Sequence, residues 1–231
     1  MASISLKNVT KIYAGKERAV SDLSLCIGDG EFVVLLGPEG SGKTAVLRMI
    51  AGLDKPTEGE VIIGGEPVSG IKTKGRDIAM VFERDALFKN KTVCDNMAYG
   101  LVLRKTPPEI IAARVKEAAD MFGLESVLNL KPKALSLGQR RRVALARAFV
   151  RKPEILLLDE PLKGLDAKAR LQTRMDIAKL RHRLASAIVY ATSDPVEAMT
   201  IGASRIAVLD GGRLLRFCES GELKETLISN E

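Results

Sequence analysis

A chain of 231 residues, 46% hydrophobic and 28% charged, has the composition of a soluble globular protein. At roughly 100–200 residues per domain it holds one large domain or two interleaved lobes. Aromatic residues are only 4%, with no Trp, too few rings for a nucleic-acid surface built on base stacking, and an excess of 36 Lys and Arg over 29 Asp and Glu, net charge +7, suits an anionic ligand or partner.

In chain order, the first third alternates short apolar stretches with turns. Residues 4–13, 19–27, 31–37, 58–65 and 77–82 are rich in β-branched residues and bounded by Gly, Asp or Pro, the pattern of strands. From Ala86 to Lys152 the pattern becomes helical. In 107–124, for example, Pro107 and Pro108 suit a helix start and Ile111, Val115, Ala118 and Phe122 recur at helical spacing. After this helical insertion come a continuous apolar strand at 154–161, a helix from about Ala167 to Leu184, a strand at 186–193, a short helix around Val196 and a hairpin over 205–217. Apolar strands alternating with helices predict a parallel sheet covered on both faces. There is no internal repeat, linker or low-complexity tract.

Cys26, Cys94 and Cys218 are odd in number and far apart, with only His182 as a possible imidazole ligand, so neither a disulfide framework nor a zinc site is supported. The stretch MASISLKNVT lacks the layout of a signal peptide, and no apolar run approaches the ~20 residues that span a bilayer. The expectation is a soluble protein of a reducing cytoplasm. The densest basic cluster, Arg140, Arg141, Arg142, Arg147 and Arg151, falls on a predicted helix and reads as a solvated or subunit-contacting face, not a nucleic-acid groove.

Two motifs carry chemistry. Gly37-Pro38-Glu39-Gly40-Ser41-Gly42-Lys43-Thr44 follows a predicted strand and precedes a predicted helix, a full match to the phosphate-binding pattern in its required context. Its glycines Gly37, Gly40 and Gly42 let backbone N–H groups, with that of Ser41, wrap around phosphate oxygens, and the helix N-terminus adds a field favouring negative charge. Lys43 would reach the β- and γ-phosphates of a nucleotide, and the Thr44 hydroxyl would ligate Mg²⁺. The second motif is the apolar strand 155–158 ending in Asp159, Glu160 and Pro161, acids released where open α/β sheets place their ligands. Asp159 suits the metal, directly or in its second shell, and Glu160 suits orienting or deprotonating an attacking water.

Between them lies Leu135-Ser136-Leu137-Gly138-Gln139-Arg140-Arg141-Arg142-Val143-Ala144-Leu145-Ala146-Arg147-Ala148. Ser136 can cap the helix that follows, a purely structural role. The stretch also resembles the LSGGQ signature helix of ABC ATPases, and its place between phosphate loop and Asp-Glu strand is theirs. The resemblance runs from Leu6 to about Leu227, includes the glutamine-loop region at 81–101 and the stretch after the D-loop at 166–170, and is closest to ATPase subunits of sugar and other solute importers.

That resemblance implies an α/β P-loop NTPase (RecA-like) core with an antiparallel β subdomain and an inserted α-helical subdomain over about 86–152, all in one ABC ATPase domain covering 1–231. It implies ATP and Mg²⁺ as ligands, and a partner ATPase subunit packed head to tail so that Ser136, Gly138 and Gln139 serve the partner's nucleotide. Tyr13 matches the aromatic that stacks on adenine, though it also fits a strand-end Tyr packed on the sheet. Asp166 matches the D-loop aspartate facing across the dimer, or a plain helix N-cap. The segment after Phe82 would touch a transmembrane permease, placing the chain peripherally on the inner face of the cell membrane. Many relatives carry a C-terminal regulatory domain, which this sequence is expected to lack. ATPases of chromosomes, repair and translation insert a coiled coil or repeat the domain; neither feature is present, and no nucleic acid is expected.

Five departures from the family pattern fall in nucleotide- or dimer-facing loops. Glu39 puts a carboxylate in the phosphate loop. Glu83 replaces the glutamine that helps hold metal and water, Leu137 a signature glycine, Ser193 the switch histidine, and Lys163-Gly164 a small pair before Leu165-Asp166. They imply either hydrolysis that is slow or proceeds only with a more complete partner, to the point of an ATP-operated clamp or regulatory partner, or near-normal hydrolysis with substitute contacts, in which Glu83 itself ligates metal.

Overall fold

A computed structural model describes residues 2–222 apart from 16, 72 and 85. The chain begins with β1 (Ile4–Ile12), β2 (Arg18–Ile27), β3 (Phe32–Leu36), α1 (Lys43–Ala51), β4 (Glu58–Ile63), β5 (Glu66–Pro67) and β6 (Ile78–Val81). Helices dominate the middle, with α2 (Val93–Leu103), α3 (Pro108–Phe122), α4 (Leu137–Phe149), β7 (Ile155–Asp159) and α5 (Ala167–Arg183). Then follow β8 (Ala187–Thr192), α6 (Pro195–Thr200), β9 (Arg205–Asp210) and β10 (Arg213–Glu219).

Two compact units result. The first comprises residues up to 80, 154–160 and 185 onward. It contains an antiparallel sheet ordered β2-β1-β4-β5 and most of a second sheet ordered β10-β9-β3-β8-β7-β6. Within the second sheet β3, β7, β8 and β9 pair in parallel, and the residues of β3, β7 and β8 are all buried, as strands covered on both faces must be. The predicted hairpin over 205–217 forms its antiparallel edge, turning through Gly211 and Gly212 at positive φ. One apolar core joins the two sheets through α1: Ile4, Leu6 and Ile27 pack with Val46, Leu47, Ile50, Leu157 and Val189. Each fully buried large aliphatic side chain contributes about 1.5–3 kcal/mol, so this core fixes α1, and with it the loop that α1 follows.

The second unit comprises 81–153 and 161–184. The helical stretch expected over 86–152 lies within it, and α5 belongs to it as well. Thr92 and Asp95 form a capping box at the start of α2, and Ser136 and Gln139 do the same for α4, which satisfies helix N–H groups that would otherwise lack partners. Phe122 and Phe149 meet edge to face at 6.0 Å. Asn96, fully buried on α2, pins the loop before that helix: its Oδ1 accepts from the Phe88 N–H at 2.8 Å, and its Nδ2 donates to the Thr92 carbonyl at 2.8 Å. No helix among the described residues is long and apolar enough to cross a membrane.

Candidate functional site

In the first unit the loop 37–42 leaves the end of β3 and enters α1 without a side-chain cap, so the first-turn N–H groups are open to an anion. The glycines are dictated by space and by torsion. A Cβ on Gly37 would lie 2.1 Å from the Leu209 carbonyl oxygen, and one on Gly42 would lie 2.3 Å from the Ala19 oxygen at a φ of +95°, so neither position admits a side chain.

Lys43 is buried, with 5% of its surface exposed. Its ammonium donates to the carbonyls of Gly37 at 2.7 Å and Pro38 at 2.8 Å, and stands 3.6 Å from Glu160 Oε1. Burial draws its pKa below the usual lysine value, against the opposing pull of Glu160, Asp159 and Glu39. Thr44 donates its hydroxyl to Asp159 Oδ1 at 2.9 Å, which joins the two residues of the separate motifs that suit a hard divalent cation. The Ser41 hydroxyl is buried without a hydrogen-bond partner among the described residues. Such an orphan costs free energy unless a ligand satisfies it, and it lies inside the cradle shaped for phosphate.

Glu160 sits just beyond β7 in the left-handed region at φ +45°. Its N–H donates to the Ala191 carbonyl at 3.0 Å, and Ser193 Oγ reaches its Oε2 at 3.5 Å. Nine predicted residues therefore converge here: Gly37, Gly40, Ser41, Gly42, Lys43, Thr44, Asp159, Glu160 and Ser193.

Tyr13, also in this unit, is about one-third exposed and donates its hydroxyl to Asp54 Oδ2 at 2.6 Å, while Lys11 Nζ lies 5.0 Å from its ring centre. Burial, and then Asp54, pushes the phenol up to about 12. Asp54 is in turn held by the Arg48 guanidinium at 2.8 and 3.1 Å, which keeps its carboxyl below the ordinary value. Sequence reasoning missed Arg48 and Asp54, because nothing local signals that they meet Tyr13.

The remaining candidates lie in the second unit. Ser136 Oγ accepts from the Gln139 N–H at 3.2 Å, and Gln139 Oε1 accepts from the Ser136 N–H at 2.9 Å. Gly138 is packed so closely on α5 that an added Cβ would fall 2.9 Å from Ala169 Cβ. Asp166 caps α5, accepting from the Ala169 N–H at 3.0 Å, the plainer of its two readings from sequence. The Glu83 carboxylate, half exposed, meets Lys163 Nζ at 3.1 Å, so two departures from the family pattern form one ion pair. Arg141, 2% exposed, holds the same segment by donating to the carbonyls of Phe82 at 2.8 Å and Glu83 at 2.7 Å.

The sequence pattern of the family described as ABC transporter matches residues 20–163, both motifs included. This chain belongs to that family. Among curated relatives of this ABC chain, the sn-glycerol-3-phosphate import ATP-binding protein UgpC of Rhizobium meliloti is 50% identical over 93% of the chain. The oligosaccharides import ATP-binding protein MsmX of Bacillus subtilis is likewise 50% identical over 93%. The chain spans only 61% and 58% of the length of those two relatives. A solved dimeric structure of the ATP-binding cassette MJ0796, in a post-hydrolysis state bound to ADP and Pi, is 34% identical with a TM-score of 0.84, covering 94% of this chain and 98% of the other. CbiO1 of Clostridium perfringens, part of the ABC transporter complex cbiONQ, is 27% identical with a TM-score of 0.86, covering 98% and 93%. The fold is that of an ABC ATPase cassette, a P-loop α/β core with an antiparallel sheet and a helical unit.

Proposed function

We propose that the chain is the ATP-binding and ATP-hydrolysing subunit that powers solute uptake through a membrane ABC transporter, working as a dimer against transmembrane permease subunits on the inner face of the membrane. The observation that carries this reading is the convergence of a capless helix N-terminus, a buried lysine, the Thr44–Asp159 pair and Glu160 around the loop 37–42. The names of UgpC and MsmX as import ATP-binding proteins favour uptake over export.

In this reading the N–H groups of 40–44 and the Ser41 hydroxyl grip the phosphates, and Lys43 exchanges its loop carbonyls for β- and γ-phosphate oxygens. Tyr13 presents its ring to adenine. Thr44 and Asp159, joined by a hydrogen bond, are the residues that would hold Mg²⁺, which when bound would neutralise developing phosphate charge. Glu160 orients the attacking water and accepts its proton, and Ser193, half-buried beside it, donates a hydrogen bond to the same water or to the γ-phosphate. Ser136, Gly138 and Gln139 close on the partner's nucleotide, with Asp166 at the dimer contact. A serine in place of a histidine lowers the rate, since its hydroxyl is shorter and carries no positive charge, whereas Lys163 offsets the added charge of Glu83.

The test is to purify the protein with the membrane proteins that accompany it, identify these by mass spectrometry and measure ATP turnover of the assembly. The reading expects permease subunits and turnover that rises in their presence. An assembly without membrane proteins, or without turnover, contradicts it.

A further inference from the structure

Behind Glu160 lies a buried polar pair that the proposed chemistry does not use. Tyr190 is wholly buried near the end of β8. Its hydroxyl donates to Glu197 Oε1 on α6. Glu197 is itself 8% exposed. Burying a carboxyl is costly unless it is paired, and here burial, with Asp194 and Glu160 acting in the same direction, raises the Glu197 pKa above its ordinary value.

The chain between Tyr190 and Glu197 is the turn on which the site depends. The Ala191 carbonyl accepts from the Glu160 N–H at 3.0 Å, and the Thr192 carbonyl accepts from the Gly37 N–H at 3.3 Å. Thr192 Oγ1 accepts from the Asp194 N–H at 3.1 Å, Asp194 Oδ1 accepts from the Glu197 N–H at 3.1 Å, and Ser193 Oγ reaches Glu160 at 3.5 Å. One tight loop thus holds the phosphate-loop entrance, the water-activating carboxylate and the residue at the switch position. The Tyr190–Glu197 bond closes that loop from its buried side, strand to helix.

We infer that Glu197 and Tyr190 are a positioning pair for hydrolysis, fixing the 191–194 turn so that Glu160 and Ser193 meet the attacking water in one pose. Neither touches the nucleotide; they act through the main chain of Ala191 and Thr192. The inference rests on Glu160 serving hydrolysis as proposed above.

The experiment uses the full chain in its assembly and compares Tyr190→Phe, Glu197→Ala, Glu197→Gln and the double variant Tyr190→Phe with Glu197→Ala, with Glu160→Gln as reference. ATP affinity is read by calorimetry, chemistry by single-turnover hydrolysis, and turn stability by hydrogen exchange at the Gly37 and Glu160 amides. Loss of a positioning contact costs about tenfold in the single-turnover rate of Tyr190→Phe and Glu197→Ala, with ATP affinity unchanged within about twofold. Exchange at both amides accelerates, the double variant is no slower than the slower single variant, and Glu197→Gln, whose amide oxygen still accepts from Tyr190, recovers most of the rate. If Glu197→Ala does not fold, Tyr190→Phe, which keeps the ring in the core, decides alone. Parental rates in Tyr190→Phe and Glu197→Ala beside a slow Glu160→Gln overturn the inference and leave the hydrolytic reading intact. A Glu160→Gln protein as fast as the parent overturns both. Rate losses matched by equal losses of ATP affinity assign the pair to the fold alone and also overturn the inference.

Discussion

Replacing Ser193 by His should raise single-turnover hydrolysis by at least about tenfold, roughly 1.4 kcal/mol of barrier. In the structure Ser193 Oγ stands 3.5 Å from Glu160 Oε2, the outer limit of a hydrogen bond, so the serine supplies little of what a longer imidazole donor would. One well-aimed donor in a preorganised site is worth on the order of 10²–10³ in rate, and tenfold allows for imperfect aim. Glu83→Gln should add less than about threefold in either direction. Its carboxylate already faces Lys163 at 3.1 Å, a pair whose Coulomb energy in water is about 1.3 kcal/mol and which belongs to the exposed class that contributes roughly 0.2–1 kcal/mol. The assay is quenched-flow hydrolysis at saturating ATP, because steady-state rates can report dimer opening instead of chemistry. A Ser193→His protein no faster than the parent, or a rise produced by Glu83→Gln alone, would refute the reasoning.

Lys43→Ala should weaken Mg-ATP binding severely by calorimetry, since its ammonium is the one side-chain cation bonded to loop carbonyls Gly37 and Pro38 among the described residues; unchanged affinity would misplace the site. Leu137→Gly should strengthen ATP-dependent dimerisation in sedimentation, because the leucine, packed near Gly164, stands where a partner's γ-phosphate is expected to meet backbone. Gly42→Ala should cost about 3 kcal/mol or more in denaturant unfolding, adding overlap with the Ala19 oxygen to torsional strain. Gly40→Ala, at φ +81° with open space around it, should cost only about 1–2 kcal/mol; equal losses would show that strain alone sets both.

The phosphate loop, the Asp159-Glu160 strand end and the signature stretch were legible because each is a run of adjacent residues whose chemistry depends on local geometry. The strands β3, β7 and β8 were legible because they are buried, mostly apolar runs, broken only toward their ends by Asp159, Tyr190 and Thr192. What could not be read depends on contacts between distant positions. Glu83 and Lys163 look like two separate departures in sequence, and only the folded chain pairs them. Tyr13 reads as an adenine-stacking ring or a strand-end Tyr packed on the sheet, and neither reading signals that its hydroxyl donates to Asp54. Tyr190 looks like one more apolar strand residue, since its partner Glu197 lies on the far side of a turn. Ser136 and Asp166 carried two readings each, and their caps, which any helix start could use, appear in the structure.

The most direct test of the central claim, that Glu160 just beyond β7 is the group on which ATP hydrolysis depends, is single-turnover hydrolysis by Glu160→Gln in the assembly purified with the chain, measured beside its ATP affinity. The account predicts parental ATP affinity within about threefold with hydrolysis slowed by at least about 10². Hydrolysis at the parental rate, or slow hydrolysis explained entirely by lost ATP binding, would contradict it.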